Sequence, residues 1–219
     1  DIHRRNAASI FRVPEEAVTP RQRDLAKRVV HASNYGMGRN KFAQVAGITP
    51  AEAQRLLNAY FARYPGIRSW QAETEATLKR TRLLTTPLGR RRQFLSAWGD
   101  DVKREAYAYV PQSTVADLLN DGLIEFHRRC TSWGNSPPSY VVPCGEGGVK
   151  AQIMLQVHDS IVIQCPPEEV PTVVRELRSC LIRPISIHGR TCTIPVDITT
   201  GPNWNDLTKI PQEGVRAPQ

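Results

Sequence analysis

The chain has 219 residues, of which 40% are hydrophobic and 23% charged, a balance typical of a folded protein with a substantial core. Lysine and arginine outnumber aspartate and glutamate by 29 to 21, and the net charge of +8 favours a polyanionic partner. No apolar run approaches the roughly 20 residues that a membrane span requires, and the polar, basic first residues do not resemble a secretory signal, so no membrane partner is expected.

The cysteines are odd in number, and none are spaced as CxxC, which argues against a disulfide framework and favours reduced thiols in a cytosolic compartment. They are Cys130, Cys144, Cys165, Cys180 and Cys192. A zinc site built from His127, Cys130 and Cys144 is the weaker alternative, because that spacing matches no standard zinc module.

Residues 1–92 are predicted to be mainly helical. Thr19-Pro20 is typical of an N-cap followed by proline in the first turn, and it opens a helix over 20–34 that Gly36 and Gly38 end. A second helix begins at Thr49-Pro50, with a capping box to Glu52, and is closed by Pro65-Gly66; a third covers 68–82. Turn residues at Thr86-Pro87-Leu88-Gly89 lead into three arginines.

The second half changes its hydrophobic period. A helix over 100–130 should be kinked or split by Pro111, and the Gly-, Pro- and Ser-rich stretch 131–150 is typical of a loop or irregular hairpin. Alternating apolar residues over 152–165 predict two strands joined at His158-Asp159-Ser160. A helix over 168–182 and a strand over 193–199 complete an α+β chain with a small antiparallel sheet and packed helices.

Four polar side chains stand at intervals of four along the first predicted helix: Arg23, Lys27, His31 and Tyr35. At 3.6 residues per turn they form one stripe about 18 Å long that drifts about 40° per step. Two cations followed by an imidazole and an aromatic ring suit an extended anionic ligand whose other end is flat. The competing interpretation is a solvated basic helix face.

This spacing, RxxxKxxx-aromatic-xxxYG, resembles the fingers-helix motif of family A DNA polymerases. Asp1-Ile2-His3-Arg4, Tyr64-Pro65-Gly66 and Leu88-Gly89-Arg90-Arg91 resemble further family segments in the same order. The resemblance implies that His3, Arg23 and Lys27 bind the triphosphate of the incoming dNTP, with Lys27 also placed to protonate the leaving pyrophosphate. His31, where many members carry Phe or Tyr, would pack on the sugar, and Tyr35 would lie at the template-base position.

Gln156-Val157-His158-Asp159 resembles motif C of the family, at the tip of a palm hairpin. A carboxylate on a tight turn between strands is well placed to bind magnesium, although a lone Asp there more often only ends a hairpin. The resemblance makes Asp159 a catalytic metal ligand in a site that holds two Mg²⁺ ions. Ser160 replaces the Glu that commonly follows.

The resemblance also implies contacts to DNA. Arg104 and Gln112 match residues that contact minor-groove acceptors at the primer terminus, and His158 is assigned to the same partner. Ala108 replaces a common Asn, and Asp117 is expected to be structural. Arg90 and Arg91, with Arg92, are expected at backbone phosphates, with a solvent-facing charge cluster as the alternative. Trp204 is expected to pack at the edge of the palm.

Residues 1–99 are therefore expected to form a fingers subdomain, and 100–219 the C-terminal part of a palm. The expected function is template-directed DNA synthesis in replication from dNTPs on primer-template DNA, in the cytoplasm of a bacterium or phage-infected cell, with an organelle left open. Motif A, with the other metal-binding aspartate, lies upstream of the His3 segment in the family, so we expect it and the thumb from another chain or preceding sequence. The alternative is a non-catalytic nucleic-acid-binding subunit that retains the fold.

Overall fold

The computed structural model describes residues 1–130 and 151–211. The chain divides into two compact units, Asp1–Gln112 and Ser113–Gln219. Long helices and short antiparallel hairpins make up the described ranges, which confirms the predicted α+β class. The division into fingers over 1–99 and palm over 100–219 stays a prediction. The predicted loop over 131–150 and the zinc ligand Cys144 lie outside the described residues.

Most of the first unit is helical, as predicted. Its helices are α1 Ile2–Phe11, α2 Pro20–Asn34, α3 Arg39–Ala46, α4 Pro50–Arg63, α5 Pro65–Thr81 and the first part of α6, which spans Asp100–Cys130. Helices α1 and α3 were not predicted individually. Across the described residues, no helix combines the length and apolar content that crossing a bilayer would require.

The start of α2 has the predicted cap chemistry. The Thr19 hydroxyl accepts a hydrogen bond from the Gln22 amide, the Gln22 side chain accepts one from the Thr19 amide, and Pro20 follows the cap. The two bonds satisfy backbone donors that have no intrahelical partner. Thr49 accepts from the Glu52 amide at the start of α4, which is one of the two bonds of the predicted capping box.

Helix α5 begins earlier than expected. Pro65-Gly66 was predicted to close α4 ahead of a helix over 68–82, yet α5 starts at Pro65 itself. A proline in the first helical turn has no intrahelical bond to lose, so the same residue that stops α4 also opens α5. Tyr64 is therefore the only residue between the two helices.

The core of the first unit forms where α1, α2, α3 and α4 pack together. Val29, Phe42 and Leu56 are buried within it, one each from α2, α3 and α4. A second cluster joins α5, the first part of α6 and a short hairpin, β1 Leu83–Thr85 and β2 Arg91–Gln93. The predicted turn at 86–89 connects these two strands, with Gly89 at φ 88°.

Helix α6 is continuous through Pro111, so the predicted split did not occur. Proline lacks the amide that would bond the carbonyl four residues earlier, which costs one rung of the helix. The remaining hydrogen bonds and the buried residues on both sides, including Tyr109 and Thr114, keep the helix intact.

In the second unit, the predicted hairpin is present as β3 Gln152–Val157 and β4 Ser160–Gln164, paired antiparallel across His158-Asp159. Helix α7, Val170–Leu181, matches the predicted helix over 168–182 and packs with Phe126 in a core cluster.

Two further hairpins complete the described part of the second unit. Strands β5 Pro184–Ile187 and β6 Arg190–Thr193 form one, and β7 Ile198–Thr200 and β8 Thr208–Ile210 the other. The predicted strand over 193–199 was wrong in extent, because 194–197 has no regular structure. Trp204 is 67% exposed, so its predicted packing is wrong for the described residues. It lies in a tight turn that Asn203 and Asp206 hold by side-chain hydrogen bonds.

We expect Leu56→Ala to lower the free energy of unfolding by about 2–5 kcal/mol, because Leu56 has no exposed surface and truncation leaves a cavity. The same change at Leu95, which is 82% exposed, should stay within about 0.5 kcal/mol. Urea denaturation followed by circular dichroism compares the two variants. Equal losses would contradict the placement of Leu56 in the core.

Candidate functional site

The exposed row on α2 follows from which side of the helix is buried. Leu25, Val29 and Ala32 recur at intervals of four and three and pack into the core. The opposite side of a helix with this pattern faces solvent. Lys27 and His31 are exposed there and Arg23 is half-buried, so the core places the predicted cations on one accessible surface.

Arg23 is paired with a carboxylate in this structure. Its Nε donates to Asp1 Oδ2 at 2.7 Å, and the other oxygen of Asp1 caps α1 by accepting from the amide of His3. The side chains of Arg23 and Asp1 are 42% and 38% exposed, so water screens the pair and it contributes little to stability. It holds the guanidinium beside the start of α1, next to His3.

His3 faces a cluster of basic groups. Its Nδ1 is buried and has no hydrogen-bond partner within the described residues. Partial burial lowers the pKa of His3 below its usual 6.5, and the neighbouring Arg23, Lys27 and His31 lower it further. The basic groups around the His3 imidazole repel one another, and an anionic ligand bound beside them would reduce that repulsion.

The end of α2 presents an aromatic ring. The His31 and Tyr35 rings are 6.2 Å apart at their centroids and inclined by 23°. Tyr35 ends the helix, and Gly36 follows at φ 68°, a conformation that glycine adopts without strain. Gln112 Nε2 donates to the Tyr35 hydroxyl at 3.4 Å, which brings two predicted site residues together.

The remaining residues of this unit that are predicted to contact DNA differ in their exposure and in their partners. Arg104 is exposed and pairs with Asp101 one helical turn away. The Arg90 backbone is fixed, because its carbonyl accepts from the Tyr109 hydroxyl at 3.1 Å. Arg91 is exposed on β2, whereas Arg92 pairs with Glu105 at 2.5 Å and its guanidinium carbon lies 4.7 Å from the centroid of the Phe94 ring.

In the second unit, Asp159 lies exposed at the tip of the β3–β4 hairpin. The tight turn is made by His158 at φ 54°, a left-handed conformation in which His is enriched among non-glycine residues. The Ser160 hydroxyl donates to the Val157 carbonyl at 2.8 Å, and Gln156 bonds Asn120 of α6 at 2.8 Å. These contacts fix the turn that presents the carboxylate.

Asp159 also borders an apolar cavity of about 490 Å³. Hydrophobic side chains from α6, β4, α7 and the segment before β7 line most of it, including Leu118, Ile161 and Val173. Within the described ranges, no group of three or more His, Cys, Asp or Glu side chains could hold a metal ion.

The predicted residues therefore fall into two sets. His3, Arg23, Lys27, His31 and Tyr35 lie along α1 and α2 of the first unit, where Gln112 joins them. Arg90, Arg91 and Arg104 belong to the same unit. His158 and Asp159 form the turn of the second unit.

The first unit thus carries a cation-lined helix, and the second carries an antiparallel hairpin with an acid at its tip. The comparison with known families gives the class directly: residues 1–206 match the model of DNA polymerase family A, and the chain belongs to that family.

Several relatives are bacterial DNA polymerases. The chain is 31% identical over 217 residues to DNA polymerase I of Chloroflexus aurantiacus, an alignment that covers 96% of this chain and 21% of that protein. It is 27% identical over 210 residues to the thermostable DNA polymerase I of Thermus aquaticus, covering 93% of this chain and 23% of the relative. The chain thus spans about a fifth of the length of these curated relatives.

A solved structure shares the fold. It is the POL domain of Pol1 from M. smegmatis in complex with DNA primer-template and dNTP, with a TM-score of 0.71 and 24% sequence identity. The match covers 83% of this chain and 30% of that one.

Sequence reasoning missed the residues that support the row. Asp1 was read only as part of the His3 segment, yet it caps α1 and pairs with Arg23. Its position directly before a helical pattern was a usable signal, since Asp is a preferred N-cap. Gln71, which bonds the end of α2, carried no comparable signal, because no local pattern shows contacts between residues this far apart.

We expect His3 to titrate below pH 6.5 and Lys27→Ala to raise its pKa, because one of the neighbouring basic groups is removed. The folded pKa lies below the unfolded value, so the unfolded state binds more protons between the two, and the stability contributed by neutral His3 is lost as pH falls through that window. NMR titration of the imidazole measures the midpoint. A midpoint unchanged by Lys27→Ala would contradict the electrostatic coupling.

Proposed function

We propose that this chain supplies the nucleotide-binding and DNA-contacting part of a DNA polymerase that extends a primer from dNTPs. The single observation that carries the proposal is the solvent-accessible row of Arg23, Lys27, His31 and Tyr35 beside His3, in a member of DNA polymerase family A. The relatives' bacterial origin favours a cytoplasmic location.

The cationic half of the row is assigned to the triphosphate. Arg23 offers a planar fork of donors, and Lys27 offers a flexible point charge about one helical turn away. His3 adds a ring whose Nδ1 has no partner within the described residues. Arg23 would exchange its exposed contact with Asp1 for phosphate oxygens, an exchange with a small electrostatic cost because exposed ion pairs are weak.

The aromatic half of the row is assigned to the sugar and the template base. His31 would lie against the sugar, and Tyr35, whose ring is half-buried, would lie at the template-base position. Gln112 and Arg104 would donate to minor-groove acceptors, which every base pair presents, so these contacts test pair geometry without reading sequence. Arg90 and Arg91 are assigned to backbone phosphates, and His158 to the primer strand.

Asp159 is assigned to magnesium. An exposed carboxylate on a fixed turn is an oxygen ligand of the kind Mg²⁺ prefers, and this ion is commonly held by one or two carboxylates together with substrate phosphates. When bound, two such ions would stabilise the attacking and leaving oxygens of the transfer. The other metal-binding aspartate, with motif A, would lie in preceding sequence or in another polypeptide.

The reaction is a phosphoryl transfer in which the primer 3′-hydroxyl loses its proton to solvent, its oxygen bonds the α-phosphorus, and the bond to the leaving pyrophosphate breaks. Lys27 would donate a proton to that leaving group, while Arg23 and His3 keep its oxygens in place. Positioning and charge stabilisation account for most of the catalysis of such transfers, so the placement of these side chains matters more than any covalent role.

We expect Lys27→Ala and Arg23→Ala each to weaken dNTP binding roughly tenfold to hundredfold, because each removes a charge-assisted contact to phosphate. Isothermal titration calorimetry of the 219-residue chain with dNTP and magnesium measures the dissociation constant.

Arg28→Ala is the matched control for this measurement. Arg28 lies on the same helix, but it pairs with Asp24 at 2.8 Å and donates to the Val45 carbonyl. Its loss removes the same charge and should change the affinity by less than about twofold. An equal effect from Arg28→Ala, or no saturable binding by the unsubstituted chain, would contradict the assignment of the row.

We expect Asp159→Asn to reduce primer extension by about a thousandfold or more in a polymerase assembled from this chain and the sequence that carries motif A, because a metal ligand is lost. Affinity for primer-template DNA should be retained. Asp121→Asn, an exposed carboxylate paired with Arg183 in the same unit, is the control and should leave extension nearly unchanged. If even the unsubstituted assembly makes no DNA, the alternative of a non-catalytic nucleic-acid-binding subunit is favoured instead.

A further inference from the structure

The C-terminal end of α2 is held by side chains from three other helices. The backbone carbonyls in the last turn of any helix lack intrahelical partners and need donors from elsewhere. Gln71 of α5 supplies one: its Nε2 donates to the Ser33 carbonyl at 2.8 Å and to the Asn34 carbonyl at 3.3 Å. We propose that Gln71 is a positioning residue that fixes this helix end and, through it, Tyr35.

The carbonyls that accept from Gln71 lie in a part of α2 that makes several other hydrogen bonds. Ser33 is buried, and its carbonyl also accepts the Gly36 amide at 3.3 Å. The Tyr60 hydroxyl of α4 donates to Asn34 Oδ1 at 3.1 Å, on the same turn. The two side chains bond the backbone and the side chain of adjacent residues, so the last turn of α2 has contacts to both α4 and α5.

Helix α6 closes the third side. A Cβ atom at Gly36 would lie 2.7 Å from Cε2 of Tyr107, so the backbone after Tyr35 runs directly against that ring. The Tyr107 hydroxyl donates to Glu75 of α5, and the ring lies 5.9 Å from Trp70 at the centroids. Burial and Glu75 raise the pKa of Tyr107 well above its usual value, so the hydroxyl stays a donor.

These contacts restrict the position of Tyr35, because it lies between the Ser33 and Asn34 carbonyls bound by Gln71 and the Gly36 backbone that contacts Tyr107. Gln71 fixes the carbonyls immediately before it, and Tyr107 limits the backbone immediately after it. The part of this inference that concerns template geometry rests on the proposed function of Tyr35. The positioning of the helix end stands without it, and the two parts are tested separately.

The first test measures amide hydrogen exchange by NMR in the 219-residue chain. Gln71→Met keeps the length of the side chain and removes its donors, so the amides of Tyr35, Gly36 and Met37 should exchange roughly five- to tenfold faster. These amides bond carbonyls of the last α2 turns, whereas the amides of Leu25 and Val29 should keep their rates within about twofold.

Two further variants distinguish the loss of the hydrogen-bond donor at position 71 from a change in side-chain shape. Gln71→Lys restores a donor and should recover most of the protection at these three amides, and it also serves if Gln71→Met does not fold. Gln54→Met, which removes an exposed bond to Asn58 on α4, is the matched control and should leave them unchanged. Unchanged exchange in Gln71→Met, acceleration equal across all of α2, or no recovery in Gln71→Lys would overturn the inference.

The second test uses the assembled polymerase. Gln71→Met should lower kcat for a correct dNTP several-fold and reduce its preference over a mismatched dNTP, with KM nearly unchanged, because Tyr35 is displaced while the triphosphate contacts remain. Faster exchange at the helix end without any change in this preference would refute the role at the template base. Amide hydrogen exchange requires neither substrate nor activity. The first test can therefore be interpreted even if the proposed function is wrong.

Discussion

The burial of one side of α2 is the constraint on which the candidate site depends. Val29 and Ala32 pack into the core of the first unit with almost no exposed surface. Because they lie on one side of α2, the opposite side of the helix faces solvent. Cations are costly to bury, so a helix with this pattern reaches its lowest free energy when Lys27 is in solvent. The same packing that stabilises the fold therefore collects the basic side chains into one row.

The start and end of this helix are held by different kinds of interaction. At the start, Asp1 connects α1 to Arg23 through an exposed ion pair, which contributes little stability and is readily exchanged for another anion. At the end, Gln71 and Tyr107 hold the last turn through half-buried hydrogen bonds and close packing. Partly buried contacts of this kind are less easily replaced by water. In the proposed function, the readily exchanged start of α2 would bind the triphosphate and the fixed end would lie at the template base.

The hairpin of the second unit follows a similar logic on a smaller scale. Alternating residues of β4, Ile161 and Ile163, face the cavity beside α6 and α7, and Asp159 of the turn lies at the border of that cavity. A one-residue shift would reverse every side chain, so the apolar pattern fixes where the turn falls. His158 takes the left-handed conformation there, and Asp159 is presented as a consequence.

Much of the secondary structure could be predicted from interactions between residues that are close together in the sequence. The caps at Thr19 and Thr49, the period of the strands around Asp159 and the four-residue spacing from Arg23 to Tyr35 each depend on neighbours within a few positions, and the structure has the elements that they predict. One of the errors lies at a residue that admits two outcomes. Pro65 both ends one helix and begins another.

What the amino-acid sequence determined by itself is the family, the α+β class and the identity of the side chains in the row, since these depend on local periodicity and on motifs that keep their order along the chain. Only the tertiary structure decided that Asp1 pairs with Arg23, that Gln71 caps the end of α2 and that Tyr107 lies against Gly36. Those contacts join residues far apart in the chain. Their partners are selected by how the helices pack, and packing depends on the whole core and not on any one segment.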